Sequence, residues 1–321
     1  MLTAIAAVIL GFILLVWSAE RFVSGAAGLA IDLGISPLII GLTIVGFGTS
    51  APEILISTLS AWQGNPGLAV GNALGSNIAN LALILGAAAL IAPMAVDSKV
   101  LRREMPVLVG VMLLTLLLLF DLRLDEFDGG LLLLTLLLVM GWLVRQGMAK
   151  DGRDELLESE FAEEIPRDMS IGRALFWLVV GLLVLAGSSR MLVWGAVEIA
   201  EWLGLPDLII GLSIVAIGTS LPELATSVAA ALKREHGIAL GNVIGSNIFN
   251  SLAVLGLPGL IAPHDIDIAV LWRDMSVQFV LVLLVIGMSL SRGGHGRISR
   301  VQGGILLTLF FGYQSLLFLL P

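Results

Sequence analysis

The sequence predicts an all-α integral membrane protein of ten transmembrane helices, arranged as two inverted five-helix repeats. Two compositional facts point to a membrane: 58% of the residues are apolar and 13% charged, and the mean hydropathy is +1.02. The apolar runs are long enough for a bilayer core of about 30 Å. They lack the short alternating pattern of a lipid-facing β-barrel, which favours helices. An internal repeat, described below, supplies the inverted arrangement.

Ten apolar runs are predicted to span the membrane. They cover residues 2–30, 37–61, 68–92, 103–120, 129–147, 174–200, 207–232, 238–262, 268–290 and 300–320. The first run has no basic segment before it and no small-residue cleavage site after it, so we expect it to stay in the chain. Thirteen of the 17 Lys and Arg residues fall in loops after the third, fifth, seventh and ninth runs. The positive-inside rule then predicts cytoplasmic loops there, in a plasma (inner) membrane with both termini extracytoplasmic.

Two segments of the chain recur at an offset of 170 residues. LIIGLTIVGFGTSAPE at 38–53 matches LIIGLSIVAIGTSLPE at 208–223, and GNALGSNIAN at 71–80 matches GNVIGSNIFN at 241–250. Between 41–80 and 211–250, 20 of 40 positions are identical without a gap. An odd number of helices per repeat inverts the second copy, and inverted repeats with interrupted helices are typical of secondary transporters with a midplane site.

These repeats predict a first unit at 1–147, an acidic cytoplasmic linker at 148–170 and a second unit at 171–321. The linker is interpreted as solvated polar chain, with a low-affinity cation sensor as the alternative. The chain has no cysteine, which excludes disulfides, thiol catalysis and Cys-ligated metals. Its net charge of -8 gives no sign of a nucleic-acid partner. The three histidines are all expected in loops, which makes zinc a poor fit.

The first repeated motif places a proline and a glutamate in the middle of an apolar run. Pro52 has no N–H to bond the carbonyl of Gly48, so we expect the helix to break there and free backbone carbonyls. Thr49 and Ser50 add hydroxyl oxygens within one turn of Glu53. The second copy repeats the set as Gly218, Thr219, Ser220, Pro222 and Glu223. A carboxylate at the bilayer centre costs at least ~2.5 kcal/mol, so each glutamate requires a partner.

A hard cation is the partner that this chemistry favours. Two glutamates surrounded by hydroxyl, carbonyl and amide oxygens suit Ca²⁺, which takes ~6 to 8 oxygen ligands. The alternative is a structural ion pair of either glutamate with Arg21 or Arg190. Glu20 aligns with Arg190 at the repeat offset. These two are expected to form a structural ion pair with each other, or each with a nearby residue.

The second motif supplies further oxygens. Ser76 and Asn80 are four residues apart and share a helix face, and their copies are Ser246 and Asn250. We interpret all four as ion ligands, with interhelical hydrogen bonding as the alternative. The remaining asparagines of the motif are interpreted as packing or gating residues; they are Asn72, Asn77, Asn242 and Asn247.

The two motif pairs resemble the α-repeats of the cation/Ca²⁺ exchanger superfamily, and the whole chain resembles its bacterial calcium/sodium antiporters. The resemblance implies a transporter, not an enzyme, in which the first and sixth helices slide against a core of the second, third, seventh and eighth. It implies no cofactor, since Ca²⁺ and Na⁺ are transported substrates. The implied side-chain ligands are Thr49, Ser50, Glu53, Ser76, Asn80, Thr219, Ser220, Glu223, Ser246 and Asn250. Backbone carbonyls of Gly46 and Ala216 correspond to an Na⁺ ligand.

One position departs from that pattern. Sodium-driven members carry an aspartate where this chain has Asn250, so only Glu53 and Glu223 are charged here. Two negative charges balance one Ca²⁺, two Na⁺ or two H⁺, which predicts electroneutral exchange. H⁺-coupled antiport of Ca²⁺ or another divalent cation is the alternative. A channel, an intramembrane hydrolase and a non-transporting scaffold are the other classes considered, and the oligomeric state stays open.

Overall fold

The computed structural model describes residues 1–32, 49–96, 104–148, 169–233, 236–290 and 296–319. In the first half the described helices are α1 (Leu2–Asp32), α2 (Ala51–Trp62), α3 (Pro66–Ile91), α4 (Met105–Leu118) and α5 (Glu126–Met148). The second half begins with α6 (Ile171–Leu203), α7 (Asp207–Thr219) and α8 (Leu221–Lys233). It continues with α9 (His236–Phe249, Asn250–Val254 and Gly256–Ile261), α10 (Val270–Ser289) and α11 (Arg300–Leu319).

Within the described residues, seven helices are long and apolar enough to cross a membrane, and α7 with α8 makes an eighth as a pair bent by 42°. The described residues therefore form enough long apolar helices for a multi-pass membrane protein. The predicted second span, 37–61, is described only from residue 49 onward. The count of ten spans stays a prediction.

The repeated prolines begin helices instead of kinking them. Pro52 lies in the first turn of α2, where its missing N–H needs no partner. Pro222 occupies the same place in α8, directly after the bend at Ser220. The predicted interruption of the membrane helix is thus present in the second repeat, at the motif itself. In the first repeat the residues before Thr49 lie outside the described chain.

Helices α1 and α6 pack against each other as an antiparallel pair. Gly195 near the end of α6 lies against Ala4 near the start of α1, and Gly25 late in α1 lies against Ala174 early in α6. A Cβ at Gly25 would lie only 2.7 Å from the Ala174 carbonyl oxygen. Small residues therefore allow the two backbones to approach closely, as membrane helices require.

Helices α3 and α9 form the centre of the molecule. In each, 78% of the membrane-length stretch is buried, compared with 17% in the leucine-rich α5. Glycine, alanine and serine are frequent in both helices, which lets neighbouring helices approach them closely. Gly71 of α3 shows this, because a Cβ there would lie 2.9 Å from the Cα of Gly211 on α7. The second repeated motif is therefore carried by the two most enclosed helices.

Two short strand pairs join the halves of the chain. β1 (Met94–Val96) pairs antiparallel with β4 (Gly296–Ile298), with Ala95 opposite Arg297. β2 (Arg123–Leu124) pairs antiparallel with β3 (His264–Asp265). Each pair connects a segment that follows a helix of the first half with one from the second, so the halves are also tied through backbone hydrogen bonds.

The prediction that all three histidines lie in loops is wrong for the described ones. His236 is the first residue of α9, because the helix begins two residues before its apolar run. His264 lies on β3, where burial lowers the pKa of its imidazole, and its Nδ1 is 2.8 Å from the Ala262 carbonyl. His295 lies outside the described residues. His236 and His264 flank opposite ends of α9, so they do not share a site.

Candidate ion-binding site

Glu53 lies in the first turn of α2 and is 1% exposed. Asn72 of α3 fixes this turn, because its Nδ2 donates both to the Glu53 backbone carbonyl at 3.2 Å and to Ser57 Oγ at 2.9 Å. Asn72 is itself fully buried. The third helix therefore holds the backbone of the residue that carries the first carboxylate.

The second repeat forms the same arrangement. Glu223 in the first turn of α8 is 1% exposed. Asn242 Nδ2 donates to the Glu223 carbonyl at 3.2 Å and to Ser227 Oγ at 2.9 Å. The distances equal those in the first repeat. Sequence reasoning assigned Asn72 and Asn242 to packing or gating and missed this role, although their recurrence in both motifs was the signal for it.

Hydroxyl groups reach both carboxylates. Ser220 Oγ donates to Glu53 Oε1, and Ser246 Oγ donates to Glu223 Oε1, each at 3.4 Å. Because Ser220 lies three residues before Glu223, the first bond crosses from the second repeat to the first. Both bonds are long for O–H···O contacts and satisfy the carboxylates weakly.

Thr219 forms a second connection between the repeats. Its Oγ1 lies 3.2 Å from Asn72 Oδ1 and 3.4 Å from Ser76 Oγ, both on α3. It also lies 3.2 Å from the carbonyl of Ala216, which accepts from the Ser220 N–H at 3.1 Å as well. Asn72 therefore contacts both the Glu53 turn and the Thr219 turn. The structure thus brings together side chains from the four repeated segments.

Several polar atoms of these segments are buried without a hydrogen-bond partner in the structure. Among the predicted ligands they are Ser50 Oγ, Glu53 Oε2, Glu223 Oε2, and both amide atoms of Asn80 and of Asn250. Asn77 Oδ1 and both amide atoms of Asn247, in residues predicted to pack or gate, also lack a partner. More than about 90% of buried polar groups normally have partners. Five of the seven atoms on predicted ligands are oxygens that can bind a hard cation.

Neither glutamate forms an ion pair within the described chain, so the alternative pairing with Arg21 or Arg190 is not observed there. The Arg21 guanidinium instead lies 5.1 Å from the ring centre of Trp177. Glu20 and Arg190 are both exposed and form no ion pair with each other. Two buried carboxylates without a cation are costly in a low dielectric, which supports an ion as their partner.

Other predicted ligands are placed as follows. Ser76, Thr219 and Ser220 are buried, and Ser246 is 3% exposed. Thr49 is half-buried one turn before Glu53. Gly46 lies outside the described residues, as does Gly48. No group of three or more His, Asp or Glu side chains in the described segments is arranged to hold a metal, so any cation here relies on neutral oxygens besides the two carboxylates.

The helices widen at Asn80 and Asn250, a feature that the sequence did not predict. Asn80 lies in the π-helical turn Ala79–Ile84, and Asn250 begins the turn Asn250–Val254. The N–H of Leu255 bonds the Asn250 carbonyl, five residues back, at 3.1 Å. Single π-helical turns often occur at functional sites. The equivalent irregularities support equivalent roles for the two asparagines.

Comparison with known proteins identifies the family. The model of the sodium/calcium exchanger protein family matches residues 3–145 and 173–319. The chain belongs to the sodium/calcium exchanger family. This confirms the resemblance inferred from the repeated motifs, and it identifies the chain as a multi-pass all-α membrane transporter and not an enzyme.

Three relatives of this exchanger align over almost their whole length. The putative antiporter CaxA of Alkalimonas amylolytica is 51% identical over 99% of both chains. The sodium/calcium exchanger MaX1 of Methanosarcina acetivorans is 31% identical over 97% of both chains. A solved structure of the sodium-calcium exchanger NCX_Mj, soaked with Na⁺ and Sr²⁺, superposes with a TM-score of 0.67 at 31% identity and covers 98% of each chain.

Proposed function

We propose that this exchanger is a secondary antiporter that exchanges Ca²⁺ for Na⁺ by alternating access. The carrying observation is the pair Glu53 and Glu223: both are buried at equivalent positions, and each has one carboxylate oxygen without a partner. One Ca²⁺ or two Na⁺ neutralise two carboxylates. The names of MaX1 and NCX_Mj, both sodium/calcium exchangers, support the same pair of ions.

The proposed ligands extend beyond the glutamates to neutral oxygens. The side-chain ligands are Thr49, Ser50, Glu53, Ser76, Asn80, Thr219, Ser220, Glu223, Ser246 and Asn250, with backbone carbonyls from Gly46 and Ala216. The long hydrogen bonds of Ser220 and Ser246 and the unpartnered atoms of Ser50, Asn80 and Asn250 support this set. Such a ligand shell satisfies the ion and the buried polar atoms together.

The proposed architecture is ten transmembrane helices in two inverted repeats, 1–147 and 171–321, joined by an acidic cytoplasmic linker at 148–170. The equal bond lengths around Asn72 and Asn242 support the duplication. The family model matches two separate segments and leaves residues 146–172 unmatched, which supports the division. The Lys and Arg distribution supports termini on the extracytoplasmic side of the inner membrane.

In the proposed cycle, Ca²⁺ bridges both glutamates and leaves when monovalent ions occupy the same oxygens. The two loads compete for one ligand set, and this competition couples their movements. An empty site with two buried charges is costly, so the transporter does not cross without a load. The proposed moving element is the antiparallel pair of α1 and α6, which packs against the helices that carry the ligands.

The uncharged Asn250 determines the number of Na⁺ ions that we propose are exchanged per Ca²⁺. With two carboxylates, a third Na⁺ would leave one uncompensated positive charge in a low dielectric, so exchange near two Na⁺ per Ca²⁺ is expected. Two H⁺ would balance the same charges, which keeps H⁺-coupled transport of Ca²⁺ or another divalent cation as the second candidate.

One experiment tests the function and the coupling. Purified protein in proteoliposomes is supplied with ⁴⁵Ca²⁺ under an imposed Na⁺ gradient or an imposed pH gradient of equal size. Accumulation driven by Na⁺ supports the first proposal, and accumulation driven by pH supports the second. Equilibration without accumulation would indicate a channel, and no flux would indicate a protein that does not transport Ca²⁺. Glu223→Gln protein provides the negative control.

A further inference from the structure

Helix α11 carries two adjacent polar residues, the buried Tyr313 and the half-buried Gln314. Tyr313 is 4% exposed, and its Oη donates to Asp274 Oδ1 on α10 at 2.8 Å. Asp274 is fully buried and also accepts from Arg273 Nε at 2.7 Å. The carboxylate is therefore neutralised and anchored, and Tyr313 fixes the rotation of α11 against α10.

The neighbouring Gln314 reaches a different helix. Its Nε2 donates to the carbonyl of Leu212 at 3.2 Å, inside the π-helical turn Gly211–Val215 of α7. In a regular α-helix the N–H of Ala216 would bond the Leu212 carbonyl. Here that N–H bonds the carbonyls of Gly211 and Ser213 instead. The Gln314 side chain therefore donates to the Leu212 carbonyl in place of the Ala216 N–H.

The same turn also packs closely against α3. A Cβ at Gly75 would lie 2.8 Å from the Leu212 carbonyl oxygen and 2.7 Å from Ala216 Cβ, so the two backbones are in close contact. The Leu212 segment thus contacts both the Gly75 backbone and the Gln314 side chain. Ala216 and Thr219 follow within two turns on the same helix, so a shift of Leu212 moves both.

The residues at the equivalent positions of α5 differ chemically from Tyr313 and Gln314. At the repeat offset, Tyr313 and Gln314 correspond to Leu143 and Val144, whose side chains cannot donate a hydrogen bond. The Gln314 side chain therefore has no counterpart with a hydrogen-bond donor at the equivalent position of α5.

We propose that Gln314 is a positioning residue for ion binding: it holds the widened turn of α7 so that Ala216 and Thr219 stay at their ligand positions. This inference rests on the proposed function, because it assigns Gln314 a role in that same site. Gln314 acts through the α7 backbone and not through contact with the ion.

Transport kinetics of full-length Gln314→Met protein test the role. Methionine keeps the length of the side chain and removes the donor. We expect the half-saturating Ca²⁺ concentration for ⁴⁵Ca²⁺ uptake to rise about three- to tenfold, because one part-buried hydrogen bond is lost, with little change in maximal rate. Tyr313→Phe should also raise the half-saturating Ca²⁺ concentration, but by a smaller factor. Ser315→Ala, whose hydroxyl bonds Phe311 O within α11, is the matched control and should leave it unchanged.

Hydrogen exchange provides a readout that needs no transport. Amides of residues 211–219 should exchange faster in Gln314→Met than in the wild-type protein. Their exchange rates should be unchanged in Ser315→Ala. Faster exchange with an unchanged half-saturating concentration would overturn the positioning role, as would unchanged exchange. If Gln314→Met does not fold, Tyr313→Phe carries both measurements. A wild-type protein without Ca²⁺ flux would overturn the proposed function, while the exchange result would still decide whether Gln314 restrains α7.

Discussion

Ser220 Oγ donates a hydrogen bond to Glu53 Oε1 across 3.4 Å, so a side chain of the second repeat contacts the carboxylate of the first. Glu223 receives its own bond at the same distance from Ser246. Each glutamate thus has one weakly bonded oxygen and one unpartnered oxygen. A cation that binds between the repeats would complete both shells, and movement of one repeat would change the surroundings of both carboxylates.

Removing either carboxylate should abolish exchange. We expect Glu53→Gln and Glu223→Gln to lose ⁴⁵Ca²⁺ uptake, because one remaining charge cannot neutralise a divalent ion. The melting temperature should be retained, since an amide is less costly to bury than an unpaired carboxylate. Glu20→Gln, at an exposed position of α1, is the matched control. Wild-type uptake in either site variant would disprove the site.

Adding a third carboxylate should change the charge moved per cycle. In Asn250→Asp we expect Na⁺-driven Ca²⁺ uptake to become sensitive to an imposed K⁺ diffusion potential, because three negative charges can balance three Na⁺. The wild-type protein should show no such sensitivity. Asn65→Asp, in the turn between α2 and α3, controls for added surface charge. A potential-dependent wild-type protein would refute electroneutral exchange.

Asn72 should matter for both stability and affinity. Asn72→Ala removes two donated bonds and one accepted bond, which should cost about 2 to 3 kcal/mol of unfolding free energy. The half-saturating Ca²⁺ concentration should rise about tenfold, because the Glu53 turn and Thr219 lose a common support. Thermal unfolding with and without Ca²⁺, together with uptake, measures both effects. Asn65→Ala, at a helix start without a side-chain cap bond, should change neither; equal effects in the two variants would contradict the role.

An added methyl group at Gly218 should force the Phe12 ring to move. A Cβ at Gly218 would overlap the Phe12 ring of α1. Gly218→Ala should therefore reduce uptake about tenfold, an overpacking cost of about 1 to 3 kcal/mol. The double variant with Phe12→Ala should recover most of the activity, as a double-mutant cycle would measure. Additive losses in the double variant would show that the two residues do not interact.

Much of the fold was predictable because membrane helices require long apolar runs. Nine predicted spans coincide with described helices or helix pairs to within a few residues, although the full count of ten is not established. Hydropathy did not predict the exact starts, and His236 shows why: hydrogen bonding continues the helix past its apolar run. The π-helical turns at Asn80 and Asn250 were also invisible, since no local composition specifies them.

By itself, the sequence determined that this protein is a duplicated membrane transporter with two repeated glutamates. A carboxylate is costly to bury in a membrane, so its presence in both repeats indicates a function. The tertiary structure alone decided which side chains act together. Asn72 supports the Glu53 backbone and contacts Thr219, and Gln314 reaches the Leu212 carbonyl from 102 residues away. Such contacts join helices that are distant in sequence, so helical periodicity can assign a residue to a face but cannot identify its partner.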